Sequence, residues 1–338
     1  MGSVHDSFAH IGGFLATGLR EVTTDLAALD GAGWWAVVVS YEGKVTCARF
    51  GDVRRAPLPR PATPWNGPDR TAWRSSLDQD GYERGVQRIR AHIERGEVYQ
   101  ANLCRVLSAP LPGSGSAGPL GLAVRLAEGN PAPHAAVIDV PGLTVVSASP
   151  ELYLSRHGDV IESRPIKGTG ATAGDLLDKD YPENLMIVDL VRNDLGRVAE
   201  VGSVSVPSLF EIEEHPGLVH LVSTVRARLL RGAGWPELFA ATFPPGSVTG
   251  APKSSALRII NELEPQPRGP YCGAVGWVDA DRRQAALAVG IRTFWVEHDM
   301  ICFGTGAGIT WGSDPGLEWQ ETELKAARLI GLASGGGP

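Results

Sequence analysis

Antiparallel hairpins set the fold class of this chain. Several parts of the sequence contain apolar, β-branched runs separated by short turn segments, which is the pattern of neighbouring antiparallel strands. The predicted strands are residues 34–41, 45–50, 134–140, 143–148, 151–155, 286–297 and 299–304. Because these strands come in hairpins and do not alternate regularly with helices, the sequence predicts an α+β fold rather than a doubly wound parallel sheet.

Three helices are predicted between and after the hairpins. The first carries one apolar stripe at spacings of four, three and four residues, made by Tyr82, Val86, Ile89 and Ile93. Asp80 is its predicted N-cap and Gly96 its predicted stop. The second helix is predicted over residues 183–195 and the last over residues 317–332.

Composition narrows the class of protein. The chain has 338 residues, of which 43% are hydrophobic, and this is enough for a substantial core. Its net charge of −7 argues against a general nucleic-acid or anionic-membrane surface. We find neither a membrane-length apolar run nor a secretory leader pattern. The four cysteines form no Cys-x-x-Cys pair, so we expect buried thiols in a reducing compartment, with the cytoplasm as the default location.

Two acidic pairs lie in the carboxyl half of the chain. They are Asp180/Glu183 and Glu318/Glu321, each at three-residue spacing at the start of a predicted helix. Carboxylates without histidine or thiolate neighbours suit a hard cation such as Mg²⁺. Acidic residues are also favoured in the first turn of any helix, which is the alternative reading of the first pair.

Charged residues also form a stripe along the last helix. Glu318, Glu321, Lys325 and Arg328 share one helical face. Apolar residues occupy much of the remaining circumference, so we expect the stripe to face an enclosed cleft. The alternative is a solvated face with an ordinary ion pair between Glu321 and Lys325.

A lysine and two glycine-rich runs are further candidates for binding an anion or for catalysis. Gly246–Gly250 and Gly304–Gly308 are predicted turns whose backbone N–H groups can approach an anion. Lys167, directly before Gly168, is then either an anchor for a carboxylate or phosphate, or a nucleophile if its pKa is lowered.

Longer motifs resemble the chorismate-utilising enzymes. This family includes anthranilate synthase component I, aminodeoxychorismate synthase component I, and the isochorismate and salicylate synthases. The stretches that carry the resemblance are residues 96–102, 149–151, 183–194, 246–253, 290–293 and 318–322. The resemblance implies an anthranilate synthase component I-like fold of two stacked β-sheets with helices on the outer faces. It also implies a short β-rich N-terminal region, 1–75, in the same unit as a chorismate-binding catalytic domain, 76–333.

The resemblance implies roles for individual residues. It makes Lys167 the nucleophile and Glu151 the general acid. Glu183 and Glu321 would bind Mg²⁺ directly, with Glu318 and Asp180 beside them. Arg292, on a predicted strand, could bind a substrate carboxylate through two parallel hydrogen bonds. The full set of implied substrate contacts is Gly168, Thr169, His220, Ser247, Tyr271, Arg292, Gly306, Ala307, Gly308 and Lys325.

Two positions sort the reactions within the family. Hydroxylating members carry a general-base lysine where this chain has Gln100, so the resemblance implies ammonia as the nucleophile. Anthranilate synthases carry alanine where this chain has Lys167, whereas aminodeoxychorismate synthases carry lysine. The expected activity is therefore that of aminodeoxychorismate synthase component I. The alternative is an anthranilate or 2-amino-2-deoxyisochorismate synthase component I.

The resemblance also bears on partners and control. The sequence contains no cysteine–histidine–glutamate set in a Gly-x-Cys-x-Gly context, so we expect a separate glutamine amidotransferase subunit to supply ammonia. The region before Gly81 is short and shows no counterpart of the tryptophan feedback pocket. The resemblance therefore gives no support for control by tryptophan.

Two other functions are less consistent with the residues. Residues 246–254 resemble a phosphate-binding loop, but Ala251 and Pro252 precede Lys253, and proline lacks the N–H that such a loop needs. A protein that only binds chorismate is disfavoured because Glu151, Lys167 and all four acidic positions are present.

Overall fold

Strands dominate the secondary structure of the protein. The computed structural model describes residues 7–112, 118–170, 172, 174, 176, 180–215 and 218–335, and within them there are 18 strands and six helices. The strands are β1 (Phe8–Ile11), β2 (Phe14–Thr23), β3 (Trp34–Val39), β4 (Val45–Arg55), β5 (Arg74–Ser75), β6 (Gln100–Pro110), β7 (His134–Val140), β8 (Leu143–Ser149), β9 (Leu152–His157), β10 (Val160–Arg164), β11 (Ile166–Gly170), β12 (Ser205–His215), β13 (Leu218–Arg228), β14 (Gly250–Ala251), β15 (Ala274–Asp279), β16 (Gln284–Val289), β17 (Thr293–Glu297) and β18 (Met300–Ile309). The helices are α1 (Gln79–Glu94), α2 (Gly118–Gly129), α3 (Asp180–Gly196), α4 (Trp235–Thr242), α5 (Lys253–Leu263) and α6 (Pro315–Ala333).

All the described strands join one antiparallel sheet, which has two halves that meet where β1 pairs with β2. The first half runs from β2 through β4, β3, β15, β16, β9 and β10 to β13. The second half runs from β1 through β7, β8, β17 and β18 to β6. The largest cluster of buried apolar side chains includes Val38 of the first half and Ile138 of the second, so the halves pack against each other. The two predicted sheets are thus two halves of one continuous sheet.

Helices cover the outer faces of this sheet. Leu126 of α2 and Leu329 of α6 share a buried cluster with Phe294 of β17. Ile89 of α1 and Ile259 of α5 share another, against β6 and β18. This arrangement of antiparallel strands and separate helices confirms the predicted α+β class. No helix in the described ranges is long and apolar enough to cross a membrane.

The start of α1 differs from the prediction. The N-cap is Asp78 rather than Asp80, because the Asp78 carboxylate accepts a hydrogen bond of 2.8 Å from the backbone N–H of Gly81. Asp80 lies in the first turn, where negative charge is also favoured. Gly96 follows the helix with a φ of 73°, in the left-handed conformation that glycine adopts readily at helix ends.

The predicted strand 286–297 is interrupted. The structure has two strands here, β16 and β17, and residues 290–292 between them belong to neither strand. Arg292 has a φ of 52°, in the left-handed region that non-glycine residues rarely adopt. The prediction that Arg292 lies on a strand was therefore wrong.

Candidate active site

Charged side chains from α3, α6 and the corner between β8 and β9 lie near Lys167, which is on β11. Its Nζ is 3.9 Å from Glu183 Oε2 at the start of α3, and its side chain is only 14% exposed. Burial lowers the pKa of Lys167, and the nearby Lys325 ammonium lowers it further, whereas Glu183, Glu151 and Glu321 raise it. The net effect is a lowered pKa, because burial penalises the charged form more than the carboxylates stabilise it.

Glu151 occupies the corner between β8 and β9. Its side chain is 4% exposed, and burial raises its pKa to about 7. The Ser247 hydroxyl donates a hydrogen bond to this carboxylate, the Lys167 ammonium attracts it, and the backbone N–H of Ile166 also donates to it. These three interactions favour the ionised form but do not outweigh the burial. Glu151 can therefore hold a proton at neutral pH and release it.

The glycine-rich run 304–308 lies inside β18, not in a turn as predicted. The Tyr271 ring occupies the position where Gly304 would carry a Cβ, and a Cβ on Gly306 would lie 2.6 Å from Cys104 Sγ. Ala307, which follows Gly306 in the chain, points the other way and is buried against α1 and α5. The run is glycine-rich because neighbouring side chains lie directly against the strand.

We expect Gly304→Ala to destabilise the protein by about 2 kcal/mol, because the rigid Tyr271 ring cannot vacate the position of the new methyl group without shifting. Gly312→Ala is the matched control, since a Cβ there would meet no atom within 4 Å. Urea unfolding of both variants measures the difference. Equal stabilities of the two variants would show that Tyr271 is not held against β18.

Two amide side chains of β6 lie beside Gly308. Gln100 is 1% exposed, and its Nε2 occupies the position of a Cβ on Gly308. Neither Gln100 Nε2 nor Gln100 Oε1 has a hydrogen-bond partner among the described residues, and the same holds for Asn102 Oδ1. This part of the site thus presents neutral polar groups, and Gln100 offers no base for activating water.

Cationic side chains gather next to the interrupted strand. Burial lowers the pKa of Arg292, and the neighbouring Arg328 on α6 lowers it further. Two guanidinium groups near each other favour binding of an anion between or beside them. The sequence placed Arg328 in the charged stripe but did not predict a substrate contact for it. Its position about one helical turn after Lys325 was the feature of the sequence that pointed to such a contact.

The charged stripe of α6 is buried at Glu318 but open to solvent at Glu321 and Lys325. Lys325 is 51% exposed and Glu321 43% exposed, and they form an ion pair of 2.6 Å. Lys325 also donates to the backbone carbonyl of Gly306 at 3.1 Å. The prediction of an enclosed cleft was wrong for this part of the stripe, because the face of α6 that packs on the sheet carries Thr322 and Ala326 rather than Glu321 and Lys325.

The four predicted metal ligands lie at the starts of α3 and α6. Asp180 lies against Gly168, where a Cβ would be 2.9 Å from Asp180 Oδ2. Glu318 is buried, and both Glu318 and Glu321 raise the pKa of Tyr82, although burial of Tyr82 is the larger cause. Among the described residues, no three histidine, cysteine or acidic side chains form a compact metal-binding group.

The chemistry of these ligands nevertheless suits Mg²⁺. The donors are carboxylate oxygens, and Glu183 and Glu321 each already contact a positive charge, from Lys167 and Lys325 respectively. Mg²⁺ in proteins is commonly held by one or two carboxylates, with the remaining positions filled by water and substrate oxygens. One carboxylate from each helix is consistent with that pattern.

The remaining predicted contacts border the same region. Ser247 is in the short 3₁₀ turn Gly246–Val248, so the first part of this glycine-rich run is a turn as predicted, whereas Gly250 begins β14. His220, on β13, is buried, and its backbone pairs with that of Thr169. Gly168 has a φ of 86°. The side chain of Thr169 lies outside the described residues, so its predicted contact with substrate stays a prediction.

The sequence is similar to those of known chorismate enzymes. Residues 34–331 match the family described as chorismate binding enzyme. Anthranilate synthase component 1 1 of Haloarcula marismortui is 39% identical over 274 residues, covering 78% of this chain and 55% of the relative. Aminodeoxychorismate synthase component 1 of Klebsiella aerogenes is also 39% identical over 274 residues, covering 77% of this chain and 59% of the relative. The chain thus spans less than two thirds of the length of either relative.

The fold is similar to that of a solved anthranilate synthase. Anthranilate synthase component I from Streptococcus pneumoniae TIGR4 superposes with a TM-score of 0.78 at 24% sequence identity. The match covers 96% of this chain and 90% of that chain. The predicted anthranilate synthase component I-like fold is therefore confirmed.

Proposed function

The chain belongs to the chorismate-binding enzyme family, and we propose that within it this protein aminates chorismate at C4, giving 4-amino-4-deoxychorismate. The observation that carries the proposal is the placing of Lys167. A lysine with a lowered pKa lies beside Glu151, a carboxyl group whose pKa is about 7. An amine that loses its proton more readily than usual, beside an acid that can hold a proton at neutral pH, suits nucleophilic attack with loss of a hydroxyl group.

The proposed reaction has two substitution steps. Lys167 Nζ forms a bond to C2 of chorismate, the ring double bonds shift, and the C4–oxygen bond breaks. Glu151 supplies the proton with which the hydroxyl leaves as water. Ammonia then forms a bond to C4, the double bonds shift back, and the C2–nitrogen bond to Lys167 breaks. The proton lost by the new C4 ammonium group returns to Glu151. The sum is chorismate and ammonia giving the 4-amino product and water, with the enolpyruvyl group retained.

Substrate binding in this proposal relies on positive charge. Arg292 is the proposed contact for one carboxylate, aided by Arg328, which lies beside it. Lys325 and the backbone of Gly306–Gly308 are the proposed contacts for the second. Mg²⁺, bound by Glu183 and Glu321 with Glu318 and Asp180 in support, would neutralise carboxylate charge and orient the ring. His220, Ser247, Tyr271, Gly168 and Thr169 would enclose the ring and its side chain.

Gln100 supports ammonia rather than water as the second substrate. Its buried amide cannot take a proton from water as a lysine could. The names of several relatives, aminodeoxychorismate synthase component 1, suggest a second component. We propose that this is a glutamine amidotransferase that delivers ammonia. The purified chain should then use ammonium but not glutamine.

Anthranilate synthase component 1 is the second candidate function. A relative of that name is as similar in sequence as one named aminodeoxychorismate synthase component 1. In that reaction ammonia itself attacks C2, and no lysine nucleophile is needed. Lys167 argues against it, because the lysine would occupy the space that ammonia needs next to C2.

The proposed role of Glu151 predicts how kcat/KM depends on pH. The acid must be protonated to assist departure of the hydroxyl, so kcat/KM should fall as the pH rises through about 7, the pKa of Glu151. Ser247→Ala removes a hydrogen bond that lowers this pKa, so the decline should move to higher pH. Glu151→Gln should lose on the order of 10²–10⁴-fold in rate. A decline at the same pH in Ser247→Ala would show that another group controls it.

Product identification tests the proposed function. The purified chain is incubated with chorismate, Mg²⁺ and either ammonium or glutamine, and the products are separated by liquid chromatography with mass detection. We expect 4-amino-4-deoxychorismate from ammonium alone. Anthranilate, isochorismate or salicylate as the principal product would contradict the proposal.

A further inference from the structure

A buried ion pair is hydrogen-bonded to two backbone segments that carry residues of the candidate active site. Arg268, at 1% exposure, donates from Nε to Glu264 Oε2 at 2.7 Å and from Nη2 to Glu264 Oε1 at 2.6 Å. Its guanidinium also lies 4.2 Å from the centre of the Tyr41 ring. The pair is bidentate and desolvated, which is the geometry that arginine achieves and lysine does not.

The remaining hydrogen bonds of this pair go to backbone atoms next to the site. Arg268 donates to the carbonyl of Val248 at 2.9 Å and to the carbonyl of Asn102 at 3.2 Å. Glu264 Oε1 accepts from the backbone N–H of Cys104 at 2.9 Å. One ion pair therefore joins the strand β6 to the turn Gly246–Val248.

Both backbone segments carry side chains of the proposed catalytic machinery. Val248 directly follows Ser247, whose hydroxyl donates to Glu151. On β6, Gln100 lies against Gly308 and Cys104 lies against Gly306. Arg268 is also only three residues before Tyr271, whose ring lies against Gly304. A shift of the ion pair would reach each of these contacts through the backbone.

We propose that Arg268 and Glu264 are positioning residues, which hold the Ser247 turn and β6 in the register that the proposed reaction at Lys167 and Glu151 requires. Neither residue needs to touch substrate for this role. The proposal rests on the proposed function for the identity of the reaction, but not for the link between the pair and Glu151. That link follows from the hydrogen bonds through Val248 and Ser247.

The test compares variants of the pair with a matched buried arginine. Arg268→Lys keeps the charge but loses the fork of donors, and the double variant Arg268→Gln with Glu264→Gln avoids leaving one buried charge alone. Arg156→Gln is the control, because Arg156 is also buried and donates to the Gly158 carbonyl at 3.0 Å and pairs with Asp30 at 3.6 Å. The full chain is used in each case, and thermal unfolding selects folded preparations.

The expected result is a loss in kcat on the order of 100-fold in the pair variants, because misplacing catalytic groups by about 1 Å has effects of that size. The pH at which kcat/KM declines should also rise, since Ser247 no longer donates fully to Glu151. Lys167 and the Ile166 N–H still interact with Glu151 in these variants, and both interactions limit how far the pKa of Glu151 can rise. Arg156→Gln should lose stability but keep the wild-type pH profile.

A second measurement separates this proposal from the proposed function. The ¹³C signal of the Glu151 carboxyl group, assigned by its absence in Glu151→Gln, is titrated in wild type and variants without any turnover. A higher Glu151 pKa in the pair variants, and not in Arg156→Gln, supports the positioning role even if the product is a different one. Folded pair variants with wild-type kcat and an unchanged Glu151 titration would overturn it.

Discussion

Lys167→Ala is expected to abolish formation of 4-amino-4-deoxychorismate, with a loss on the order of 10³-fold or more. The substitution removes the proposed nucleophile and opens space next to C2 of chorismate. Ammonia can then attack C2 directly, which would give 2-amino-2-deoxyisochorismate or anthranilate in place of the 4-amino product. Chromatography with mass detection of the products measures both effects. Lys44→Ala, at an exposed turn, is the control and should behave as wild type.

The same variant tests the covalent step. Wild-type protein quenched during turnover should carry a chorismate-derived mass, and digestion should map it to Lys167. The lowered pKa of Lys167 favours this attack, because more of the amine is deprotonated at a given pH than for an ordinary lysine. If Lys167→Ala still makes the 4-amino product at the parent rate, and wild type never yields an adduct, then Lys167 is an anchor and not a nucleophile.

Glu183→Gln and Glu321→Gln should each abolish turnover while the fold stays intact. Each replaces a proposed Mg²⁺ ligand by a neutral group of the same shape, and EDTA should have the same effect on wild type. Loss of the Glu183 charge also removes an interaction that raises the pKa of Lys167. More of Lys167 would then be neutral, so inactivity of Glu183→Gln could not be ascribed to a protonated nucleophile.

The control for the metal variants is Asp189→Asn, on the same helix as Glu183. Asp189 is exposed and pairs with Arg192 at 2.8 Å, so its loss should change neither turnover nor the Mg²⁺ dependence. Circular dichroism and thermal unfolding verify that all variants are folded. Wild-type rates in Glu183→Gln or Glu321→Gln, or full activity of wild type in EDTA, would exclude the proposed metal site.

The hairpins and helices were predictable because local patterns set them. The meander β7–β8–β9 and the long helix α6 follow period-two and helical patterns that survive in the fold. The interruption at Arg292 and the strand conformation of residues 304–308 were not predictable in this way. Both depend on partners far away in sequence, such as the Tyr271 ring that lies against Gly304.

The candidate site was predictable only in part. Motifs indicated which residues to group, and the structure brings Lys167, Glu151, Glu183, Glu321 and Lys325 close together. The direction of the Lys167 pKa was not predictable, because nearby charges of both signs compete and only burial decides between them. Arg328 was overlooked as a neighbour of Arg292 for a related reason, since their proximity depends on how α6 packs on the sheet.

The position of the new nitrogen is the most direct test of the proposed function. Wild-type chain is given chorismate, Mg²⁺ and ¹⁵N-ammonium, and the purified product is examined by ¹H–¹⁵N correlation NMR. We predict ¹⁵N on C4, coupled to the C4 proton, with the enolpyruvyl group still attached. Nitrogen on C2, in 2-amino-2-deoxyisochorismate or in anthranilate, would contradict C4 amination through Lys167.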